Sequence, residues 1–195
     1  KAKLDGKRYF EELLDSIDCV PDSVKQLLRM SRAARNLFEQ TQTQLVRGLV
    51  EHPDLRARVQ RLQTIRGVGP ILALTWALEI GDPARFHNAG QARSYCGLTS
   101  ALISSAGKDQ RAPLSKMRNK YLQSTLIEAA KVAAMWNPQL KEVYQRERAR
   151  GNANRATLAV ARKLVAYLLA VDRSGFAFEP ALVAESKEEA VAMTA

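Results

Sequence analysis

The turn Gly67-Val68-Gly69-Pro70 lies between two apolar segments, and it constrains this chain more than any other feature. Upstream, Leu55, Val59 and Leu62 recur at helical spacing; downstream, Ile71 to Ile80 is almost wholly apolar and includes Trp76. Proline at the first helical position costs no hydrogen bond, because the N–H it lacks has no intrahelical acceptor there. Glycine reaches backbone angles that other residues avoid. The pattern predicts a helix, a tight turn and a buried helix that ends at Gly81-Asp82-Pro83.

Two readings of that turn stand. As a helix-hairpin-helix element, Gly67, Val68 and Gly69 offer backbone N–H groups to a DNA phosphate without reading bases. As an αα-corner, they only let two helices pack closely. A dinucleotide-binding loop is disfavoured, because no β-branched strand precedes Gly67 and the third glycine is missing.

The rest of the chain also reads as helix. Pro21-Asp22-Ser23 is a helix-start signal, and Leu27, Met30, Ala34, Leu37, Phe38, Leu45 and Leu49 then recur on one narrow face through Val50. Such a seam calls for a partner, either within the chain or in a second subunit. His52-Pro53-Asp54 breaks it, so an antiparallel hairpin with the helix that follows is expected. Further helices are expected from Asn88 to Tyr95, from Ser115 or Lys116 to Trp136, after Asn137-Pro138, and from Ala156 to Val171. Trp76, Trp136 and Tyr121 fall at apolar spacings and read as core. From Arg173 the composition turns Ala- and Glu-rich and the periodicity is lost.

These readings give an all-α fold, in which a long, coiled-coil-like helical hairpin precedes a compact helical domain containing the helix-hairpin-helix element. The expected divisions are 1–61 for the helical linker, 62–172 for the compact domain and 173–195 for a disordered tail.

The net charge of +10, from 30 basic and 20 acidic residues, points to an anionic partner, with nucleic acid ahead of a membrane surface. No apolar run approaches the roughly 20 residues of a membrane span. Cys19 and Cys96 lie far apart and, with only two histidines in the chain, build no zinc site. They read as reduced thiols of a cytoplasmic protein.

Cations concentrate around one segment. Ser104-Ser105-Ala106-Gly107 reads as a flexible loop, and Lys108, Arg111, Lys116, Arg118 and Lys120 surround it against the single acid Asp109. A hydroxyl in such a field suits a phosphodiester and its developing negative charge. Arg146, Arg148, Arg150 and Arg155 form a second basic cluster beside the turn Gly151-Asn152-Ala153-Asn154. The ordinary alternative for all of these residues is a solvated charged face.

From about Leu62 to Val171 the chain resembles the C-terminal domain of insertion-sequence-110 family transposases, a group that includes RNA-guided recombinases. The resemblance is carried in order by Gly67-Val68-Gly69-Pro70, Gly81-Asp82 with Phe86, and Tyr95-Cys96-Gly97-Leu98. Ser104-Ser105-Ala106-Gly107, Ser115-Lys116, Asn119-Lys120-Tyr121-Leu122 and Glu128-Ala129-Ala130 follow at fitting intervals. The preceding helices resemble the coiled-coil linker of such proteins.

The resemblance implies a DNA-binding domain that supplies a serine nucleophile, joined to an N-terminal RuvC-like domain whose four acidic residues bind divalent metal (Mg). Aligning back from Glu128-Ala129-Ala130 puts Ser105 on the nucleophile, with Ser104 as second choice; Ala106 stands where the family usually has glycine. No cofactor is expected within this chain itself. It begins with Lys and is expected to be part of a longer protein, inactive alone. DNA, a guide RNA and further copies of the chain, held through the helical linker, are the implied partners.

Overall fold

Proline and asparagine open most of the helices where the sequence puts them. A computed structural model describes residues 6–105, 108–115 and 117–179, with the backbone alone at 7–8 and 101–113. The helices are α1 (Lys7–Asp15), α2 (Asp22–Val50), α3 (Pro53–Gln63), α4 (Pro70–Ile80), α5 (Ala89–Tyr95), α6 (Lys120–Trp136), α7 (Pro138–Ala149) and α8 (Ala153–Ser174). A single 3-10 turn, Pro83–Arg85, links α4 to α5.

Four asparagines cap helices in the same way. The side-chain oxygens of Asn88, Asn119, Asn137 and Asn152 accept backbone N–H groups of the first turns of α5, α6, α7 and α8. Each such cap contributes about 1 kcal/mol. His52 does the same for α3, its Nδ1 accepting from Asp54.

The fold is helical, as expected, with one local exception. Residues Ser100–Ser105 (β1) and Lys108–Leu114 (β2) form a two-stranded antiparallel hairpin where the sequence reading places a flexible loop. Between the pairs Ser100/Leu114 and Leu102/Arg111, β2 spends three residues where β1 spends two. Pro113 sits in that extra step, where its missing N–H breaks no regular ladder bond. The hairpin displaces the start of the next helix to Lys120, because Asn119 supplies the cap.

The chain divides into two compact units at Arg47/Gly48. In the first, α1 folds back on α2: Arg29 pairs with Glu11 and Asp15, and the Arg32 guanidinium lies 4.3 Å over the Phe10 ring. The hairpin of this unit is thus α1 with the start of α2. The expected partner of α2, the helix α3, belongs to the second unit, because Val59 and Leu62 are fully buried there. No residue of α2 is buried, and Phe38 is 74% exposed.

The second unit is built around α8, which packs against α3, α5, α6 and α7. Val160, Ala161, Leu164, Val165 and Leu168 of α8 meet Leu122, Leu126, Ala130 and Ala133 of α6 and Leu140 of α7 in the core. Trp76 is buried as expected, but Trp136 is 66% exposed and Tyr121 is exposed as well. Both lie off the Leu122, Leu126, Ala130, Ala133 stripe that α6 turns inward.

One buried carboxylate joins three elements. Asp172 of α8, its side chain 2% exposed, accepts from Arg58 Nε and Nη2 of α3 at 2.7 and 2.6 Å, and from Trp76 Nε1 of α4 at 2.9 Å. Order also continues past the expected end of the domain. Helix α8 runs to Ser174, and the Phe178 ring packs 4.7 Å from Tyr167 while its N–H donates to Thr64 Oγ1. Residues 180–195, the rest of the expected tail, lie outside the described residues.

Removing one partner of a buried ion pair strands the other charge, at a cost of about 3–5 kcal/mol. Asp172→Ala is therefore expected to destabilise the protein by about that much in urea denaturation, with Asp172→Asn intermediate.

Burial pushes the Cys96 thiol up to about 12 from an ordinary 9.0, whereas Cys19 is exposed. A disulfide-exchange reagent at pH 8 should thus titrate one thiol in the native protein and two after unfolding. Because the folded thiol holds its proton longer than the unfolded one, the stability that Cys96 contributes is complete below pH 9. It is lost as pH rises from 9 towards 12.

Candidate nucleic-acid interface and serine hairpin

The base of the hairpin is held by backbone carbonyls that find side-chain partners on two helices. The Gly97 carbonyl accepts from Gln123 Nε2 at 2.7 Å, and the Leu98 carbonyl accepts from Arg162 Nε at 2.7 Å. The Leu98 N–H donates to the Arg93 carbonyl, and the Ser115 N–H closes the base by donating to the Thr99 carbonyl. Gly97 sits at φ +68°, and an added Cβ would meet the Arg118 side chain that lies across it.

A second set of bonds ties the end of α4 to the start of α6. Asn119 Nδ2 donates to the Glu79 carboxylate, the Asn119 N–H donates to the Tyr95 carbonyl, and Tyr95 Oη donates to the Glu79 carbonyl. Arg85 lies 4.5 and 4.4 Å over the rings of Phe86 and Tyr95. Tyr95, Met117, Arg118 and Asn119 line an open cleft of about 340 Å³ at this point.

From that base the strands run outward to the serines. Ser105 is the last residue of β1 and pairs in register with Lys108; Ser104 pairs with Asp109, and Leu102 with Arg111. Ser105 lies six residues beyond Thr99, roughly 20 Å of extended strand. A two-stranded ribbon is marginal by itself, so the anchorage of its base decides where this terminal pair is held. Ala106, Gly107 and Lys116 lie outside the described residues.

Arg118 and Lys120 are exposed beside the hairpin base, Arg118 donating to the Ser115 carbonyl and Lys120 lying 5.2 Å from the Tyr121 ring. The second basic cluster is elsewhere, at the α7–α8 corner. There Arg155, Arg150 and Arg146 approach the Glu147 carboxylate at 3.1, 3.8 and 3.9 Å, and Arg148 is exposed.

The glycine turn is separate again. Gly67 has φ +98°, and a Cβ there would come within 2.6 Å of Ala133 Cβ on α6. The carbonyl of Arg66 accepts from Asn137, and the Val68 N–H is used by the Ile65 carbonyl. Asn119 and Ala133 are fourteen residues apart along α6, so the turn lies roughly 20 Å from the hairpin base. Close helix packing accounts for Gly67, while Gly69 is exposed at the start of α4.

Several of these residues escape a reading of the sequence. Asn119 and Asn137 stand just before helices, and cap chemistry could have found them. Gln123, Arg162 and Glu79 act through partners 26, 64 and 40 residues away, which no local pattern reveals. Among the described residues, no three His, Cys, Asp or Glu side chains converge as metal ligands would. No helix there is long and apolar enough to cross a membrane.

The geometry defines a helical domain that carries a serine-tipped hairpin on a basic surface. Residues 59–145, a little under half of the chain, match the model of the Transposase IS116/IS110/IS902 family.

Relatives extend the likeness. The chain is 30% identical over 112 residues to a Pseudomonas aeruginosa protein described as "Probable family 20 transposase", covering 57% of this chain and 33% of that protein. It is 29% identical over 175 residues to the transposase for insertion sequence element IS1111A of Coxiella burnetii, covering 81% and 46%. With the transposase for IS1328 of Yersinia enterocolitica it shares 28% over 162 residues, covering 81% and 48%. The chain thus spans between a third and a half of the length of these relatives.

The two glycines of the turn should separate under substitution. Gly67→Ala forces a left-handed backbone and a clash with Ala133, and should cost about 2 kcal/mol or more in urea denaturation. Gly69→Ala, with nothing within 4 Å of the added Cβ, should stay within about 0.5 kcal/mol.

Proposed function

We propose that this chain is the DNA-binding, serine-bearing part of an insertion-sequence transposase, with Ser105 as the nucleophile of strand cleavage and exchange. The observation that carries the reading is the terminal hairpin pair, which sets Ser105 against Lys108 on a ribbon anchored in the family-matched segment. Ser104 pairs with the acid Asp109, a less favourable neighbour for a phosphate.

In the proposed step, Ser105 Oγ gives up its proton to solvent as it attacks a DNA phosphorus and forms a new O–P bond. The bond to the 3′-oxygen breaks, and that oxygen takes up a proton as it leaves. The reverse attack by a 3′-hydroxyl on the phosphoserine rejoins a strand and frees the serine. One phosphodiester replaces another at each stage, so strand exchange divides into two nearly isoenergetic steps. Lys108, Arg111, Lys116, Arg118 and Lys120 are assigned the neutralisation of phosphate charge around the hairpin.

A divalent metal, which the family implies, would belong to a RuvC-like domain outside this chain. Assembly of several copies is supported by α2, a helix about 43 Å long whose apolar positions Leu27, Met30, Leu37, Phe38 and Leu45 are exposed. A guide RNA is a further candidate ligand of the basic surface. A non-catalytic reading, in which the turn at Gly67-Val68-Gly69 only binds DNA phosphates, is favoured by one observation, the exposed start of α4 at Gly69.

The test uses a full-length enzyme bearing this domain, with its nucleic-acid partners and a labelled DNA target. A denaturant-resistant protein–DNA adduct is expected from the parent sequence and is expected to vanish in Ser105→Ala while DNA binding persists. An adduct that survives in Ser105→Ala moves the chemistry to Ser104 or elsewhere. Absence of any adduct despite DNA binding favours the non-catalytic reading.

A further inference from the structure

The α7–α8 corner holds an arrangement that stability alone does not explain. Glu147, with its side chain 17% exposed, collects Arg146 and Arg150 from the end of α7 and Arg155 from the first turns of α8. Those three arginine side chains remain 58–65% exposed. Exposed ion pairs contribute about 0–1 kcal/mol each, so three cations on one acid are not needed to hold the corner together.

The local charge stays positive. With Arg148, four guanidinium groups stand against one paired carboxylate, which neutralises only one of them. Each guanidinium has five N–H donors in a rigid fork, and contact with Glu147 occupies at most a minority of them. The Arg155 side chain lies against Gly151, where a Cβ would come within 2.9 Å of Arg155 Cδ. Backbone and carboxylate together therefore fix where this guanidinium sits.

The corner is also in line with the serine hairpin. Arg155 and Arg162 are seven residues apart on α8, within about 20° of the same helix face and separated by about 10 Å. Arg162 is the residue whose Nε holds the Leu98 carbonyl at the hairpin base. At 3.4 Å per nucleotide along a strand, the gap matches about three base-pair steps.

From these observations we infer that the corner is a second phosphate clamp for duplex DNA, in which Glu147 is a positioning residue that pre-arranges Arg146, Arg150 and Arg155. The partner is duplex rather than single-stranded nucleic acid, because the corner presents exposed guanidinium groups while Tyr144, the aromatic side chain of α7, is partly buried and offers a base little stacking surface. The inference rests on the DNA-binding reading above and adds to it an acid that strengthens binding to a polyanion.

That sign makes the test sharp. Removing an acid from a DNA-binding surface raises affinity if the acid only repels phosphate, whereas removing a positioning acid lowers it. Binding of this 195-residue chain to a short DNA duplex is measured by fluorescence anisotropy at several salt concentrations, with a thermal melt of each variant.

Glu142→Gln, five residues earlier on α7 and exposed, serves as the charge control and is expected to bind slightly tighter. Glu147→Gln makes the same change in charge and is expected to bind roughly fivefold weaker, the effect of about 1 kcal/mol. If Glu147→Gln instead tightens binding as Glu142→Gln does, the positioning role is overturned.

Should Glu147→Gln fail to fold, Arg146→Ala and Arg150→Ala carry the test at exposed side chains. Each is expected to reduce the slope of log affinity against log salt by about one, and Lys131→Ala to leave it unchanged. Unchanged slopes in both arginine variants, with weakened binding in Arg118→Ala, overturn the corner and leave the hairpin reading standing. A chain that binds no DNA at any salt overturns both. A parallel duplex RNA of the same sequence that binds tighter, with the same arginine dependence, overturns the choice of DNA.

Discussion

The carboxylate of Asp172 is the constraint on which the helical unit turns. It lies near the end of α8 and is almost wholly withdrawn from water, yet it keeps three donors from α3 and α4. A charge so placed tolerates little movement of its partners, because every lost bond leaves a buried polar group unsatisfied. It therefore fixes the angle at which α3 and α4 meet α8, while Val160, Leu164 and Leu168 fill the space between them.

The same helix reaches the hairpin from its other half. Two turns beyond Arg155, Arg162 donates to Leu98, and Gln123 of α6 donates to Gly97. Carbonyls that regular structure leaves open at a strand entry are thus satisfied by side chains from two different helices. The rigid parts of the domain are spent on holding the base of a ribbon that is weak alone. The arrangement fits the proposed role of Ser105, which needs a hydroxyl held at a set distance from the body of the domain.

Charge is distributed over that body in two places with different character. Beside the hairpin, Arg118 and Lys120 are exposed, and among the described side chains no acid collects them. At the α7–α8 corner, the cations are gathered by Glu147. The contrast between a loose and an ordered set of cations is what one surface needs if one part only attracts a polyanion and another fixes its register.

Much of the helical frame is legible in the residues themselves. Pro53, Pro70 and Pro138 at helix starts, the asparagine caps and the apolar run Ile71–Ile80 act within a few residues of one another, so their meaning needs no tertiary knowledge. The resemblance from about Leu62 to Val171 likewise lies in residues read in order. The serine segment was harder: glycine and serine suggested a loop, and the ladder that makes it a hairpin pairs positions whose register local propensity does not specify.

Sequence alone determined the helical character of most segments, the positive charge and the transposase likeness, because each is a local or additive property of the chain. Tertiary structure alone decided that α3 joins the second unit, that Trp136 faces outward, that Gly67 serves close packing against Ala133, that Gln123 and Arg162 hold the hairpin base, and that Glu147 gathers arginines at the α7–α8 corner. Those facts depend on which distant surfaces meet, and burial and hydrogen bonding choose among such meetings only once the chain has folded.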